Sequence, residues 1–551
     1  MNDKYKNIII LLLCIFIAGI MAIYHGFHWN YDIRSYHLYN PYAFLTGRVG
    51  YDIMPGSIQS YFNPLPDVPF YLFVKYLNFH PKIFLFVYGL NYALLLFVTY
   101  KIAELIFTKN KFKIHLSILS SIVGNTALYT LLTVGGQTND QLIGVLIVFG
   151  IYFIIKALDK NSIKYIIFAG IILGVASGFK YTGIPLAFSL LFCIICFPRF
   201  FKDLGYKKVI SLFFLSGIVG FLIANGFWMY KLYTTFGNPF MPHYSEFFRN
   251  TWINSSISVS YADLSTTSIG WKNFIQCVIA PFEATFDYRF ITIILIFIFN
   301  CLFNIKYNDK EIEEQCDINM NYSNFLLLFS LLSIFFMSKL FPICRYMIAI
   351  TSITGIVISV YILKFVYCVL KNVNKLSKNA KQKLCDVSLI CVCIFIVFSI
   401  PYEHYNKRMS LKTNDKQIIY AMDIGLPDNA LVITTPGTGY VIPFQNPKAK
   451  FIFINDGRYR KAKIDILSES GYKKMIKFVK EHSNNIYILI PDKIDEYNKV
   501  TFNKNMDVKY MDYLSYKKEL KRYGINDLDN IDCKTIKTNF KPIYICKVNN
   551  L

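Results

Sequence analysis

Residues 8–24 read IIILLLCIFIAGIMAIY, a stretch of 17 residues without a charged side chain. As a helix, an apolar run of roughly 17 to 25 residues is long enough to cross a hydrocarbon layer about 30 Å thick. Comparable runs recur along the chain as far as Ile400. The pattern predicts a polytopic α-helical membrane protein.

The overall composition indicates the same class. Of 551 residues, 54% are hydrophobic and only 17% are charged, whereas a soluble domain carries about 25% charged residues. A disordered chain, a small secreted disulfide scaffold and an ordinary soluble enzyme are therefore excluded. We predict eleven membrane spans, near residues 8–24, 83–107, 114–133, 141–157, 164–179, 182–198, 209–230, 290–304, 323–338, 343–366 and 384–400.

The distribution of positive charge indicates the topology. The net charge is +23, but Lys and Arg cluster in short segments between alternate spans, such as 109–113, 199–208 and 371–383. Because positively charged loops stay in the cytoplasm, we predict a multi-pass protein of the cytoplasmic (inner) membrane with its N-terminus inside. An odd number of spans then places the C-terminal segment outside. Topology explains the charge, so nucleic acid is not expected as a partner.

Three segments on the predicted outer side are long: residues 25–82, 231–289 and 401 to the end. We divide the chain into a transmembrane catalytic domain, 1–401, and an extracytoplasmic domain, 402–551. In the second domain, apolar runs of strand length alternate with helical patterns, which predicts an α/β fold. Its strands are expected near 430–434, 451–454, 486–490 and 542–548, and its helices near 464–481 and 513–523.

Two short features of this outside domain have competing interpretations. The turn Thr435-Pro-Gly-Thr-Gly439 follows a strand but lacks the Lys of a phosphate-binding loop, so it is interpreted as a plain turn. Cys533 and Cys546 would form a disulfide in an oxidising compartment, and the sequence leaves this pairing open.

The first outside segment carries the main candidate for chemistry. Residues 29–48 read WNYDIRSYHLYNPYAFLTGR, so Asp32 stands among aromatic residues shortly after the first span. A carboxylate held where water is excluded can have its pKa adjusted for proton abstraction. Helix capping and anchoring of the topology are the structural alternatives for an isolated Asp.

The residues around Asp32 resemble the opening of the GT-C superfamily of polyprenyl-phosphate-sugar-dependent glycosyltransferases, which includes the protein O-mannosyltransferases and the lipid A aminoarabinose transferase. The resemblance extends over about residues 1–400, and it departs from the family at Asn63, where relatives carry Lys before a Pro-Pro-Leu turn. It rests on Asp32, Tyr36, His37, Ala43, Gly47 and Pro64-Leu65-Pro66, then on Asn139-Asp140, Phe179-Lys180-Tyr181-Thr182 and Cys344-Arg345-Tyr346.

The resemblance implies a GT-C-like fold and a role for each matching residue. A sugar would move from a polyprenyl-phosphate donor, with inversion, to an envelope glycan, lipid or protein acceptor on the outer face. Asp32 would be the general base, and Asp140 would orient the acceptor or assist the base. The expected substrate-binding residues are Tyr36, His37, Lys180, Arg345 and Tyr346, and simple interfacial packing is the alternative for His37.

Lys180 and Arg345 would stabilise the leaving phosphate, since ionisable residues near the ends of spans are functional candidates. Snorkelling to the membrane interface is their structural alternative. The motifs require no cofactor, and the sequence leaves the participation of a divalent cation open.

The second long outside segment adds a further group of candidates. Glu283 and Asp287 are four residues apart and precede Arg289, so they would share one face of a helix. Catalysis, metal binding and a structural ion pair with Arg289 all remain open for this group.

A transporter or flippase of a lipid-linked glycan is the main alternative function, because buried charges also line substrate paths. The sequence shows no duplication into two similar halves. Asp32, Asp140 and Arg345 are moreover expected near one membrane face instead of the midplane. Both points favour the enzyme, and a catalytically silent scaffold of envelope assembly is a third alternative.

Overall fold

The structure is a computed structural model of the chain. It describes residues 3–27, 29–108, 110, 112–136, 139–248, 252–253, 287–304, 313, 317–341, 343–371, 383–384, 387–391, 394, 416–435, 437–453, 467–482, 485–491, 520–525, 532–540 and 542–548. The α-helices among them are α1 (Asp3–His25), α2 (Tyr39–Leu45), α3 (Val68–Tyr76), α4 (Pro81–Ile106), α5 (Lys113–Asn125), α6 (Leu128–Leu132), α7 (Asp140–Asp159), α8 (Lys164–Phe179), α9 (Ile184–Cys196), α10 (Tyr206–Phe236), α11 (Tyr288–Asn304), α12 (Met320–Leu340), α13 (Ile348–Lys371) and α14 (Glu469–Glu481).

The chain forms two compact units, each assembled from three separate stretches. The helical unit comprises Met1–Tyr24, Phe86–Ala224 and Ile269–Lys407. The sheet unit comprises His25–Leu85, Asn225–Ser268 and Arg408–Leu551. The first outside segment therefore belongs to the same unit as the C-terminal segment.

The apolar helices confirm the predicted class of polytopic α-helical membrane protein. Among the described residues, six helical segments are long and apolar enough to cross a membrane: α1, α4, α7, α10, α12 and the segment Arg345–Leu370, which contains most of α13. Three shorter helices, α8, α9 and α11, are also apolar. Nine of the eleven predicted spans each coincide with one described helix, the span near 114–133 falls on two helices, and the last, near 384–400, lies largely outside the described residues.

The span predicted at 114–133 is not one helix, because α5 ends at Asn125 and α6 begins at Leu128. Arg289, buried at the start of α11, donates from Nε to the carbonyl oxygen of Val123 at 2.8 Å and from Nη2 to Thr126 Oγ1 at 2.9 Å. The Arg289 side chain of α11 thus forms hydrogen bonds to polar groups at the end of α5. The prediction of a continuous span was wrong. The side chain that binds at the break comes from a residue 163 positions away in the sequence.

Small residues let the helices of the helical unit approach closely. A Cβ at Gly174 of α8 would lie 2.0 Å from the carbonyl oxygen of Gly217 in α10, and one at Gly124 of α5 would lie 2.3 Å from that of Ser352 in α13. Such contacts bring backbones together where apolar surface alone gives helices little reason to associate in lipid.

The sheet unit contains the predicted C-terminal α/β fold. Its strands are β2 (Leu431–Thr434), β3 (Lys450–Phe453), β4 (Ile486–Pro491), β5 (Asp532–Ile536) and β6 (Ile543–Val548), in the order β3-β2-β4-β6-β5. β2 pairs in parallel with β3 and with β4, whereas β6 pairs antiparallel with β4 and with β5. A disulfide joins Cys533 and Cys546, which face each other across β5 and β6. The alternating polar edge strand β5 is missing from the sequence prediction.

The first outside segment packs onto this sheet. Its strand β1 (Pro55–Ile58) follows Ile53. Ile53 forms a β-bridge with Ile452 of β3, the strand at one edge of the sheet. Arg48 and Asp52 form a buried ion pair, with Nη2 and Oδ1 2.7 Å apart. The Phe451 amide donates to the same Asp52 carboxylate at 2.9 Å. The loop is thus attached to the sheet by backbone and charged contacts.

Candidate functional site

A single π-helix, Ile33–His37, presents the predicted residues of the first segment. Asp32 stands at its start and is 8% exposed. The Asn30 side chain accepts a hydrogen bond from the Ile33 amide at 2.8 Å, which satisfies one of the first amides of the helix. A π-turn is wider than an α-turn, so residues five apart such as Asp32 and His37 are close to one full turn apart. Short π-helices are frequent at functional sites.

Tyr36 and His37 pack against each other, with ring centroids 4.3 Å apart. The Nδ1 atom of His37 lies 2.8 Å and 2.9 Å from the two carboxylate oxygens of Asp67. Both side chains are 2% exposed. Asp67 ends a 3₁₀ helix, Leu65–Asp67, in the Pro-Leu-Pro turn of the segment. The structure therefore supplies His37 with a carboxylate partner 30 residues away.

Aromatic stacking continues from Tyr36 to a second histidine. Phe62 contacts Tyr36 edge-on at 5.6 Å and stacks on His243 at 6.2 Å. Burial lowers the pKa of His243 to about 4, so this imidazole is neutral at neutral pH.

Two glycines approach the backbone of the π-helix at the Ser35 carbonyl oxygen: Gly56 of β1 and Gly439 of the C-terminal segment. We call this arrangement the carbonyl clamp. A Cβ at Gly439 would lie 2.0 Å from this oxygen, and one at Gly56 would lie 2.4 Å from it. Trp29, just before the π-helix, packs edge-on to Tyr440 at 5.5 Å and stacks on Phe540 at 5.1 Å.

A second group of predicted residues meets in the helical unit. Asp140 is the first residue of α7 and is buried, and Lys180 follows the last residue of α8. Lys180 Nζ lies 2.5 Å from Asp140 Oδ1, and Arg345 Nε lies 3.4 Å from Asp140 Oδ2. The Tyr346 ring has Lys180 Nζ 4.7 Å and Arg345 Cζ 5.4 Å from its centroid. We call these four residues the Asp140 cluster.

The local fold explains how these residues meet. An acidic residue in the first turn of α7 is favoured by the positive end of the helix dipole. Lys180 has an extended backbone between α8 and the 3₁₀ turn Tyr181–Gly183, and Arg345 lies in the 3₁₀ turn Cys344–Met347 before α13. The side chains of Lys180 and Arg345 remain 17% and 26% exposed, whereas that of Asp140 is 1% exposed.

Of the third predicted group, Asp287 and Arg289 have structural contacts. Asp287 Oδ1 accepts hydrogen bonds from the Arg289 amide at 3.1 Å and from its Nη1 at 2.9 Å. Together with the bonds from Arg289 to α5, this pairing supports the structural alternative for both residues. Glu283 lies outside the described residues.

Asn63 forms hydrogen bonds at the position where relatives carry a positive charge. Asn63, which replaces the Lys of the relatives, donates to Asn225 Oδ1 at 3.1 Å and accepts from the Leu65 amide at 3.0 Å. It thus stabilises the turn that carries Asp67.

Within the part of the chain that the structure describes, no three His, Cys, Asp or Glu side chains group as metal ligands would.

Sequence reasoning did not select Asp67 or Gly439. No spacing signal links Asp67 to His37, because the link depends on how the Pro-Leu-Pro turn folds back. Gly439 belongs to the turn that the sequence predicts as plain, and it begins a 3₁₀ helix, Gly439–Phe444. Its role depends on close contact with Ser35, which the sequence pattern does not encode.

One stretch of the chain matches a known protein family. Residues 71–228 match the family model described as dolichyl-phosphate-mannose-protein mannosyltransferase. This match confirms the GT-C resemblance. The enzyme class is accordingly glycosyltransferase, and the matched residues include Asp140 and Lys180 but neither Asp32 nor Arg345.

Among solved structures, the chain is similar to ArnT from Cupriavidus metallidurans bound to undecaprenyl phosphate. The identity is 9%, the alignment covers 99% of this chain and 98% of that one, and the TM-score is 0.45. Undecaprenyl phosphate is the ligand of that protein, and this TM-score is too low to transfer it to the present chain. None of the curated protein sequences matches the chain.

Proposed function

We propose that this glycosyltransferase moves a sugar from a polyprenyl-phosphate donor to an envelope glycan, lipid or protein, with inversion, on the outer face of the cytoplasmic membrane. The matched family is named for a sugar carried on a lipid phosphate, which supports a donor of this kind. The apolar helices would keep such a lipid within reach of the site.

The Asp140 cluster is the observation that carries the proposal. Its two cations share one carboxylate, so the formal charge of the cluster is +1. When the bond between sugar and phosphate breaks, negative charge grows on the phosphate, and preorganised positive groups stabilise it. Arg345 can present a planar fork to two phosphate oxygens, which makes it the better-suited partner.

The contacts of Asp140 support a role that differs from the two predicted ones. The Asp140 carboxylate contacts Lys180 through one oxygen and Arg345 through the other, so both oxygens already face a cation. We propose that Asp140 positions these two cations. Tyr346 limits their movement, since both cations lie over its ring.

Asp32 is then the general base. It accepts the proton of the acceptor hydroxyl while the hydroxyl oxygen attacks the anomeric carbon from the face opposite the phosphate. The bond from the anomeric carbon to the phosphate oxygen breaks, and its electron pair leaves with the phosphate. Because this is one displacement, the anomeric configuration inverts.

The proposed outer-face location rests on two independent observations. Lys and Arg cluster in alternate loops, which supports a cytoplasmic N-terminus. The Cys533–Cys546 disulfide supports an oxidising compartment for the C-terminal segment.

The test is reconstitution of the purified full-length protein with radiolabelled polyprenyl-phosphate sugars and a cell-envelope extract. We expect label in the acceptor fraction, with inverted configuration at the anomeric carbon. Movement of label across the membrane without transfer would overturn the proposal and favour a flippase. Parallel reactions with a chelator test whether a divalent cation assists.

A further inference from the structure

The geometry of the His37–Asp67 pair favours one direction of hydrogen bonding. Both Asp67 oxygens lie within hydrogen-bond distance of the same nitrogen, Nδ1. An Nδ1–H group can donate to both oxygens, so this geometry favours the tautomer with the proton on Nδ1. In the neutral imidazole, Nε2 is therefore an acceptor with a lone pair.

The Nε2 atom of His37 has no hydrogen-bond partner among the residues that the structure describes, although the ring is 2% exposed. A buried polar atom without a partner costs roughly 1 to 3 kcal/mol, so native proteins rarely leave one. The lone pair therefore calls for a donor that the polypeptide itself does not supply within the described ranges.

Nearby elements show the same shortage of partners. Ser35 Oγ on the π-helix, Ser57 Oγ on β1 and Asn40 Oδ1 on α2 are buried and have no hydrogen-bond partner within the described part of the chain. β1 contacts the π-helix at Gly56, whose Cα is close to the Ser35 carbonyl. A molecule with several hydroxyl groups could satisfy donors and acceptors of this kind together.

We propose that Nε2 of His37 accepts a hydrogen bond from a sugar hydroxyl, and that Asp67 is a positioning residue that holds the acceptor tautomer. An ionised phosphate ester offers only acceptor oxygens and cannot satisfy a lone pair, whereas a hydroxyl can. This inference rests on the proposed function for its ligand, since the hydroxyl belongs either to the donor sugar or to the acceptor.

The first test measures binding to the purified full-length protein of polyprenyl-phosphate mannose, polyprenyl-phosphate glucose and polyprenyl phosphate without a sugar. His37→Asn keeps an amide that can donate to Asp67 but lacks Nε2. His80→Asn is the matched control, because His80 is an exposed histidine of the same segment. We expect His37→Asn to weaken binding of at least one sugar-bearing lipid about tenfold, as for one lost hydrogen bond. Binding of the bare lipid phosphate and of the control should not change.

If the hydroxyl belongs to the acceptor, donor binding is unchanged and the KM for the envelope extract rises about tenfold instead, which also supports the proposal. An equal loss of affinity for the bare lipid phosphate would indicate a phosphate contact and overturn it. No effect on donor binding or on the acceptor KM would overturn it as well. Absence of transfer by the unmodified protein would refute the proposed function, while the binding measurements would still report on His37.

The positioning role of Asp67 needs its own variant. Asp67→Asn can donate to Nδ1 and so moves the ring proton to Nε2, which removes the acceptor. We expect the same loss of affinity as in His37→Asn, and no additional loss when both changes are combined. A further loss in the double variant would mean that Asp67 acts independently of His37.

Discussion

Gly439→Ala tests whether the C-terminal sheet positions the proposed base. A Cβ at this position would lie 2.0 Å from the Ser35 carbonyl oxygen and 3.0 Å from its carbon. The obstacle is backbone, so no change of rotamer relieves it. Because ordinary contacts begin near 3.4 Å, either the π-helix or the turn must move by roughly 1.4 Å.

Such a shift has different consequences for stability and for catalysis. Overpacking typically costs about 1 to 3 kcal/mol, which lowers the unfolding midpoint by a few degrees. A misplacement of about 1 Å between reacting groups can cost about 10²-fold in rate. Since Asp32 begins the displaced π-helix, we expect sugar transfer to fall about 10²-fold while the protein stays folded.

Gly471→Ala is the matched control. Its Cβ would lie 2.3 Å from the Trp252 carbonyl oxygen, so the same substitution meets the same kind of obstacle within the sheet unit. Transfer is measured at saturating donor, alongside the unfolding midpoint of each variant. We expect Gly471→Ala to lose stability but to keep its rate within about threefold of the parent protein. Equal losses of rate in both variants, or an active Gly439→Ala, would refute the reasoning.

Four further predictions follow from the site and the topology. Asp32→Asn should lower transfer about 10² to 10⁴-fold at normal protein level, and activity within about threefold of the parent would remove Asp32 from the mechanism. Arg345→Ala should impair transfer more than Arg345→Lys, and a fully active Lys variant at limiting donor would make Arg345 an interfacial anchor. Between pH of about 6.5 and 4 the unfolded chain binds a proton at His243 that the folded chain excludes, so stability should fall by up to about 3 kcal/mol as the pH drops. His243→Phe should flatten this dependence of the unfolding midpoint on pH, and an unchanged slope would contradict the assignment. A cysteine at position 378 should react with an impermeant reagent only from the cytoplasmic side, and labelling from outside would overturn the topology.

The apolar spans could be predicted from sequence because each depends on a local property. A helix in lipid needs length and apolar composition, and both can be counted within one stretch, as in residues 164–179, where the predicted span coincides with α8. The end of α5 could not be predicted in this way. It depends on Arg289, whose side chain reaches Val123 from a different helix.

The candidate site shows the same contrast between residues that a local pattern predicts and contacts that depend on distant residues. Asp140, Lys180 and Arg345 were selected separately from short motifs, but only the structure shows that one carboxylate contacts both cations. The role of Asp67 could not be predicted, because a carboxylate in a turn has no sequence pattern that identifies its partner. The edge strand β5 was missed because its sequence, DCKTI, alternates and lacks the continuous apolar run of a buried strand.

The attachment of Ile53 and Asp52 to strand β3 has a consequence for biosynthesis. Asp52 and Phe451 are 399 residues apart, so at about 5 to 20 residues per second the ribosome needs roughly 20 to 80 s to make the second after the first. Until then the carboxylate of Asp52 and the guanidinium of Arg48 lack the backbone groups that later surround them. The segment bearing the proposed base thus reaches its final conformation late in translation, and a prematurely terminated chain would insert its helices yet keep this segment exposed to proteases and chaperones.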